Sequence, residues 1–337
     1  MTESTHPVLT VIVLNWNGAG FLPRCFQSLR EQTLRNFQVL LVDNNSTDDS
    51  IVLTKRDFPE VDVLDLGENL GYAEANNRAA AQSHATYLLF LNNDTYLDST
   101  ALELLVVTAD KQPDTAILAP TQRSYNGTLT LSCGMGVDIL GFPAFGNPHA
   151  GNVFYADGAA LFIRRSVFKE LEGFDPHYFI FFEEQDLCWR AWLRGYRVGI
   201  VPQSVVYHEA GGTVGSSLVK GTQYTTSKRK RRLTHRNQLA TILKNYSTPV
   251  LCAILPLFIT LTAVEILALI GTGQRAVVAE SYAQGWLDLF RDRSYLITRR
   301  HGIQTSRVVS DWTILRKMQW KLAPVRQVLR GGMPVIK

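Results

Sequence analysis

The stretch LTVIVLNWNG, residues 9–18, decides the fold that this chain of 337 residues can adopt. Its first six residues form a run rich in aliphatic and β-branched side chains, which is too short for a buried helix. Such a run predicts a central strand that is buried on both faces. Strands of this kind are typical of parallel α/β sheets, in which helices cover both sides.

Strand-like and helix-like segments alternate from this strand to about residue 119, which favours βαβ architecture. Further strands are predicted at residues 37–42, 61–64, 87–91 and 117–119. Helices are predicted at residues 21–34, 46–58, 72–83 and 102–109. Residues 120–156 lack a clear period and predict a loop-rich insertion or irregular edge strands. Regular pattern returns with strands at 159–163 and 197–201 and a helix at 183–193, before a glycine-rich stretch, 211–215, that predicts a mobile loop.

The net charge of +4 conceals two oppositely charged parts. Residues 1–217 hold 14 Lys and Arg against 25 Asp and Glu, a net charge of −11, whereas residues 218–337 hold 20 against 5, a net charge of +15. We therefore expect a catalytic domain over 1–217 and a basic extension over 218–337. The four cysteines have no CxxC spacing, which excludes a recognisable zinc site and fits a reducing compartment.

The extension combines a basic cluster with a long apolar run. Lys228 to Arg232 opens a predicted helix, and residues 250–271 are almost wholly apolar. That run is long enough to cross a membrane, but Pro256 and Glu265 interrupt it. The sequence favours a kinked helix or a helical hairpin that dips into one leaflet, with a true span second and a buried soluble helix third.

Aromatic and basic residues alternate downstream of the apolar run, as expected for helices at a lipid headgroup surface. The adjoining apolar run makes lipid a better partner than nucleic acid for the Lys228 to Arg232 cluster, so we expect no nucleic acid partner. The polar first seven residues predict no signal peptide. These features together predict a peripheral or monotopic protein at the cytoplasmic face of the cell membrane.

Polar clusters follow four of the predicted strands. They are Asn15-Trp16-Asn17-Gly18, Asp43-Asn44-Asn45-Ser46, Asn69-Leu70-Gly71-Tyr72 and Asn92-Asn93-Asp94. Each cluster alone is also ordinary turn chemistry. Because an open parallel sheet binds its ligands at the carboxyl ends of its strands, the repetition of such clusters favours a binding site.

Asp94 is suited to holding a hard divalent cation, because a carboxylate oxygen is the ligand that Mg2+ prefers. No glycine-rich phosphate loop is present, so a bound nucleotide would need a metal to neutralise its phosphates. His208 is a candidate second ligand or a buried core histidine.

A second acidic cluster, residues 183–186, follows an aromatic run. An apolar wall would raise a carboxyl pKa there towards the range of a general base. Helical spacing places Glu183 and Asp186 on one face and Glu184 elsewhere. For Glu183 or Asp186 alone, acids that complement a helix dipole are the simpler explanation.

Taken in order, these motifs resemble family 2 glycosyltransferases of the GT-A fold, within the subgroup of rhamnosyltransferases that build bacterial cell-surface polysaccharides. The resemblance covers most of the first 245 residues. Its further motifs are Asn76-Asn77, Ala156-Asp157-Gly158-Ala159, Gly173-Phe174-Asp175, Glu183-Glu184-Gln185-Asp186-Leu187 and His208. The implied fold is a Rossmann-like mixed sheet flanked by helices, here followed by a helical, membrane-associating extension.

The resemblance also implies roles for individual residues. Glu184 matches the general base, Asp94 and His208 match metal positions for Mg2+ or Mn2+, and the donor and acceptor sugars meet at Asp157, with Glu183 and Asp186 beside them. The nucleotide-binding positions are Asn15, Asn17, Asp43, Asn69, Gly71, Asn76 and Asn93. Two features depart from the family pattern: Asn92 replaces the first acid of the DxD motif, and the base is Glu rather than Asp.

The implied activity is inverting, metal-dependent transfer of a sugar from a nucleotide donor to a lipid-linked or nascent cell-surface glycan. The first choice of donor is dTDP-L-rhamnose, and a UDP-sugar is the alternative. A sugar nucleotidyltransferase is a weaker alternative, because the phosphate loop is absent. The sequence leaves an oligomeric state open.

Overall fold

The computed structural model describes residues 6–145, 153–209, 219–220, 223–322 and 335–336. The chain divides into two compact units. The first comprises residues 1–135, 145–191 and 196–216, and the second comprises residues 136–144, 192–195 and 217–337. The predicted boundary at residue 217 stays a prediction. The glycine-rich stretch 211–215 lies outside the described residues.

The first unit contains a mixed sheet. Its strands are β1 Leu9–Asn15, β2 Phe37–Asp43, β3 Asp62–Asp65, β4 Tyr87–Asn92, β5 Thr95–Leu97, β6 Thr115–Ser124, β7 Thr130–Ser132, β10 Ala160–Arg164 and β11 Arg197–His208. They lie in the order β3-β2-β1-β4-β10-β6-β11-β5, and β7 pairs with β6. The remaining strands are short: β8 Met135–Val137 pairs with β9 Pro143–Phe145, and β12 Val219–Lys220, β13 Gln223–Thr226 and β14 Val335–Ile336 form a small sheet.

Helices cover this sheet, as the alternation of segments predicts. They are α1 Leu22–Arg30, α2 Ser50–Asp57, α3 Gly71–Gln82, α4 Ala101–Lys111, α5 Arg165–Glu170 and α6 Glu183–Leu193. The core is aliphatic and aromatic, and Val11, Val13 and Leu89 are wholly buried in it. β1 through β4 are parallel, but β10 runs antiparallel to both β4 and β6.

Parallel pairing brings the polar clusters to one edge of the sheet. β1 pairs with β2 so that Asn15 lies opposite Asp43, and it pairs with β4 so that Leu14 lies opposite Asn92. The carboxyl ends of these three strands therefore meet. β11 pairs with β5 on the far side of the sheet, where His208 lies opposite Thr95.

The sequence patterns located most elements and missed some short ones. β5 was not predicted, because three residues carry too little periodicity. Residues 120–156 do contain short strands, β7, β8 and β9, which agrees with the irregular edge strands expected there. β6 and β11 run five to seven residues beyond their predicted ends, since paired strands extend each other regardless of local pattern.

The second unit is mainly helical. Its helices are α7 Lys228–Asn245, α8 Thr248–Gly271, α9 Arg275–Val277, α10 Gln284–Arg291, α11 Arg293–Ser306 and α12 Asp311–Leu315, and a π-helical segment covers Val278–Ala283. Among the described residues, α8 alone is long and apolar enough to cross a membrane by length and composition. It is one continuous helix of 24 residues with Pro256 inside it, which agrees with the predicted single helix and not with the alternative of a hairpin.

The acid of α8 has a partner. Arg231 on α7 forms an ion pair with Glu265, and Arg231 Nε also donates to the Tyr282 hydroxyl at 2.9 Å. Both charged side chains are largely buried, and the pair neutralises the charge that made a carboxylate in an apolar run costly. On α8, Ile254, Phe258, Thr262 and Leu269 are buried, whereas the other face carries exposed aliphatic side chains.

Candidate active site at the carboxyl edge of the sheet

Side-chain amides and a carboxylate join the ends of the three parallel strands. Asn15 Nδ2 donates to Asp43 Oδ2 at 2.9 Å, and Asn93 Nδ2 donates to Asn15 Oδ1 at 2.7 Å. The Ser46 N–H donates to Asp43 Oδ1 at 2.8 Å. A Cβ at Gly18 would lie 2.0 Å from Asn93 Nδ2, so only glycine fits against this network. The network fixes the loops that follow β1, β2 and β4.

Asp43 and Asn17, two of the nucleotide-binding positions that the resemblance implies, differ in exposure. Asp43 has no exposed surface, and both of its oxygens accept bonds from the protein. The structure thus gives Asp43 a part in shaping the loops, and its role in nucleotide binding stays a prediction. Asn17 is exposed, and its Oδ1 accepts from the Thr47 N–H at 2.7 Å.

The turn before α3 is built from asparagine and glycine. Asn69 Oδ1 accepts from Asn44 Nδ2 at 3.1 Å and from the Gly71 N–H at 3.0 Å. Gly71 has φ +76°, and a Cβ there would lie 2.4 Å from the Phe179 carbonyl oxygen. Asn76, one turn into α3, is buried, and its Oδ1 has no hydrogen-bond partner. This turn is therefore held rigidly and needs glycine at residue 71.

Asp94 and His208 come together although 114 positions separate them in the sequence. His208 Nε2 lies 3.3 Å from Asp94 Oδ1, and that oxygen is buried without a well-formed hydrogen bond. Burial alone would lower the pKa of His208, but the carboxylates of Asp94, Asp157 and Glu209 outweigh it, and the pKa is raised. Asp94 Oδ1 is buried and faces the His208 imidazole, so an oxygen and a nitrogen that could ligate one cation lie side by side.

Within the described residues, no group of three or more His, Cys, Asp or Glu could hold a metal ion by itself. A cation bound at Asp94 and His208 would complete its shell with water or with oxygens of a substrate. The residues present therefore fit a metal that is shared with a ligand, rather than a closed structural site.

Glu184 lies in a buried group of acids and tyrosines. A Cβ at Gly158 would lie 3.7 Å from Glu184 Cδ and 3.6 Å from the Tyr72 hydroxyl oxygen, which donates to the Gly158 carbonyl at 2.8 Å. Burial, together with the nearby Asp157 carboxylate, raises the pKa of Glu184 to about 7. One oxygen of Glu184 has no hydrogen-bond partner. Such a carboxyl group can take up a proton at neutral pH.

The three acids at the start of α6 differ in their partners and in their electrostatic surroundings. Burial and the Glu184 charge raise the pKa of Glu183, one of whose oxygens also lacks a partner. Asp186, by contrast, is wholly buried and accepts from Arg190 Nε at 2.8 Å. Arg190 also donates to the carbonyls of Leu171 and Gly173, so the ion pair anchors α6 to the preceding turn. Electrostatics therefore group Glu183 with Glu184 and not with Asp186.

The segment before α6 is strained. Phe179, Phe181 and Phe182 have φ of 62°, 73° and 74°, in the left-handed region that bulky residues rarely adopt. Each such residue costs about 1–3 kcal/mol, and strain of this kind collects at functional sites. The aromatic run therefore positions the start of α6, and with it Glu183 and Glu184.

The sequence patterns missed some residues of the site. Tyr72 and Tyr155 are buried beside the acids, and burial plus the Glu184 and Asp157 charges raises the pKa of both hydroxyls. Tyr72 directly follows the turn glycine, a signal that could have identified it. Trp16 is 41% exposed at the end of β1. The signal in the sequence is an aromatic residue that stands between two asparagines of a motif.

The chain resembles glycosyltransferases in sequence. Residues 10–172 match the family model Glycosyl transferase family 2. An N-acetylglucosaminyl-diphospho-decaprenol L-rhamnosyltransferase of Mycobacterium tuberculosis is 28% identical over 239 residues, which cover 62% of this chain and 78% of that protein. The O-antigen chain rhamnosyltransferase RfbN of Salmonella typhimurium is 26% identical over 217 residues, which cover 59% of this chain and 66% of that protein.

A solved structure supports the fold. GalNAc-T7 with UDP, GalNAc and Mn2+ superposes with a TM-score of 0.58 at 16% identity, over 74% of this chain and 49% of that chain. At this identity the likeness shows the fold alone, and it confirms the predicted GT-A architecture. The match to the family model identifies residues 10–172 as a glycosyl transferase family 2 domain.

Proposed function

We propose that the protein transfers a sugar, with inversion, from a nucleotide donor to a hydroxyl group of a lipid-linked or nascent cell-surface glycan. The single observation that carries this is the buried Glu184 carboxyl group, whose pKa is raised to about 7 and one of whose oxygens has no partner. Glu184 takes the proton of the acceptor hydroxyl group. The acceptor oxygen bonds to the anomeric carbon, and the bond to the donor diphosphate breaks, so that the nucleoside diphosphate leaves with the electron pair.

The donor nucleotide lies along the carboxyl edge of the sheet in this proposal. Exposed Trp16 and Asn17 offer a ring face and an amide to the base, while Asn15, Asp43 and Asn93 hold their loop in place. The turn of Asn69 and Gly71, with the unpartnered oxygen of Asn76, faces the ribose and diphosphate.

Asp94 and His208 would hold Mg2+ or Mn2+, which supplies charge to stabilise the departing diphosphate when it is bound. We assign Asp157 to the point where the donor and acceptor sugars meet, and its carboxylate, which raises the pKa of Glu184, supports that assignment. Glu183 belongs to the same buried group. Asp186 is left out of the sugar site, because Arg190 already holds its carboxylate.

Rhamnose from dTDP-L-rhamnose is the first choice of donor, since two of the relatives reported above are rhamnosyltransferases. A UDP-sugar is the alternative, because GalNAc-T7 was solved with UDP. The name of the mycobacterial relative supports an acceptor on a polyprenyl diphosphate. The apolar α8 and the basic second unit support work at a membrane surface, and we place that surface on the cytoplasmic side.

The test is transfer of labelled sugar from dTDP-L-rhamnose, UDP-N-acetylglucosamine and UDP-galactose to a polyprenyl-diphosphate-linked N-acetylglucosamine, with Mn2+ present. We expect rhamnose to be transferred and the product anomer to be inverted, as read by NMR of the glycosidic bond. Transfer from a UDP-sugar instead would replace the donor while leaving the reaction class intact. Pyrophosphate release from a nucleoside triphosphate and sugar phosphate, without any transfer, would contradict the proposal.

A further inference from the structure

The second unit contains an apolar groove that the catalytic proposal does not use. Helices α7, α8, α10 and α11 enclose it, and its volume is about 630 Å³. Ligand sites of proteins commonly measure ~300–1,000 Å³. Fourteen residues line the groove, and eleven of them are aliphatic or aromatic, among them Leu243, Leu255, Phe258 and Trp286. The groove is therefore suited to a hydrocarbon chain.

Among the residues that the structure describes, the charged members of its lining are two arginines and no acid. Arg293 and Arg300 are seven positions apart on α11, so they lie on one face, ~10.5 Å apart along the helix axis. Arg300 donates to the Leu243 and Tyr246 carbonyls and to the Thr248 hydroxyl, which links it to the end of α7 and the start of α8.

Arg293 differs from Arg300 in its exposure. Its side chain is exposed, and the hydrogen bond described for it uses one donor, Nη1, to the Phe290 carbonyl at 2.9 Å. A guanidinium has five N–H donors in a planar fork that matches phosphate oxygens. An exposed positive charge in the lining of an apolar groove complements a ligand with an anionic head and a hydrocarbon tail.

We propose that this groove binds the hydrocarbon chain of a polyprenyl phosphate or diphosphate, with Arg293 at the phosphate. This rests on the proposed function, because it identifies the carrier lipid of the acceptor as the occupant. An apolar helix, from another protein or from a second copy of this chain, fits the groove less well, because it offers no negative charge to the two arginines. A bilayer phospholipid shares the chemistry of head and tail, and the experiment separates it from the carrier lipid.

The experiment measures binding and needs no donor or turnover. The full-length chain, in nanodiscs of neutral phosphatidylcholine, is photolabelled with a diazirine-bearing undecaprenyl phosphate, and the labelled peptides are identified by mass spectrometry. We expect labelling in α7, α8 and α11, competed by unlabelled undecaprenyl phosphate but not by equal amounts of phosphatidic acid. Competition by phosphatidic acid at the same concentration would mean ordinary bilayer lipid and would overturn the proposal.

Two variants sharpen the measurement. Leu255→Trp fills the groove, and Leu267→Trp places the same bulk on a residue of α8 that does not line it and is 67% exposed. We expect affinity for undecaprenyl phosphate to fall ~10-fold or more in the first and to change less than ~2-fold in the second. Equal effects of the two variants would overturn the proposal.

Arg293→Gln tests the headgroup. We expect it to weaken undecaprenyl phosphate ~5-fold and to leave the parent alcohol, undecaprenol, unchanged. Equal weakening of both, or of neither, contradicts a phosphate at Arg293. Transfer by the wild-type protein to a short, water-soluble acceptor is the separate test of the proposed function, so the two failures are distinguishable.

Discussion

The two units of this protein depart from the usual placement of polar and apolar groups in opposite directions. In the first unit, Glu183 is buried and Glu184 is half-buried, and one oxygen of each is buried without a hydrogen-bond partner. In the second, a buried acid is paired with arginine, while aliphatic and aromatic side chains such as Leu267 and Phe290 lie exposed. A buried unpaired carboxylate and an exposed apolar face both cost free energy in water. The proposals made above account for this difference, because a polar ligand would complete the first unit and an apolar one the second.

The largest effect should follow from neutralising the base. Glu184→Gln keeps the size of the side chain but cannot accept a proton, so we expect kcat to fall ~10²–10⁴-fold. The assay is sugar transfer under saturating donor. Glu31→Gln, at an exposed residue on the end of α1, is the matched control and should keep wild-type activity. Wild-type turnover in Glu184→Gln would remove Glu184 from catalysis.

In the second unit the buried acid should behave as a structural partner. Arg231→Met leaves Glu265 charged and unpaired, and we expect a loss of ~3 kcal/mol in the free energy of unfolding. The double variant Arg231→Met, Glu265→Leu should recover most of that loss, because neither charge is then left alone. Arg56→Met, which breaks an exposed pair with Asp57, should cost at most ~1 kcal/mol. Urea unfolding in detergent measures all three, and equal losses in both arginine variants would contradict the account of Glu265.

Burial of the Glu184 carboxyl group without an ion-pair partner should also lower the free energy of unfolding. The folded pKa of Glu184, about 7, lies above its ordinary value of 4.5, so the folded state binds more protons between these pH values and loses stability as pH rises through them. Glu184→Gln removes this penalty, and we expect it to be more stable than the wild type by ~3 kcal/mol at pH 8 and by almost nothing at pH 4. Thermal unfolding at the two pH values is the measurement. A stability difference that does not depend on pH would contradict the burial of an unpaired base.

The partner of Asp94 should be a cation. Asp94→Asn keeps the shape and removes the charge, so we expect ~10²-fold lower kcat and weaker Mn2+ binding by calorimetry. Asp62→Asn, an exposed acid at the start of β3, controls for the lost charge. Full activity of the wild type after treatment with EDTA would contradict the proposal that Asp94 holds a metal ion needed for transfer.

The smallest effect should come from the exposed apolar face. Leu267→Asn on α8 removes one apolar side chain from that face, and we expect ~5–10-fold weaker binding to anionic liposomes in sedimentation. Val52→Asn on α2, 64% exposed in the first unit, is the control and should bind as the wild type does. If both variants bind liposomes like the wild type, α8 is not the membrane-binding element.

The sequence could predict the features that depend on local patterns. The strand of residues 9–14 and the helix of residues 183–193 are local patterns, and the structure has them at almost the predicted bounds. Clustering of the polar motifs followed from parallel pairing, which brings Asn15 opposite Asp43. These predictions needed only periodicity and the rule that parallel strands end together.

Contacts between distant side chains could not be predicted in this way. Nothing in the sequence near Glu265 indicates that it pairs with Arg231, 34 positions away. The raised pKa of Glu184 depends on burial and on Asp157, which only the tertiary structure brings close. The continuous course of α8 through Pro256 was also not evident from local propensity, because proline usually kinks or ends a helix.

The most direct test of the central claim is the pH dependence of kcat/KM for sugar transfer by the wild-type protein. If the buried carboxyl group of Glu184 is the base, kcat/KM rises ~10-fold per pH unit below a break near pH 7 and levels off above it. A profile that is flat from pH 5 to pH 8 would contradict the claim, because an ordinary, solvated carboxylate is already ionised throughout that range.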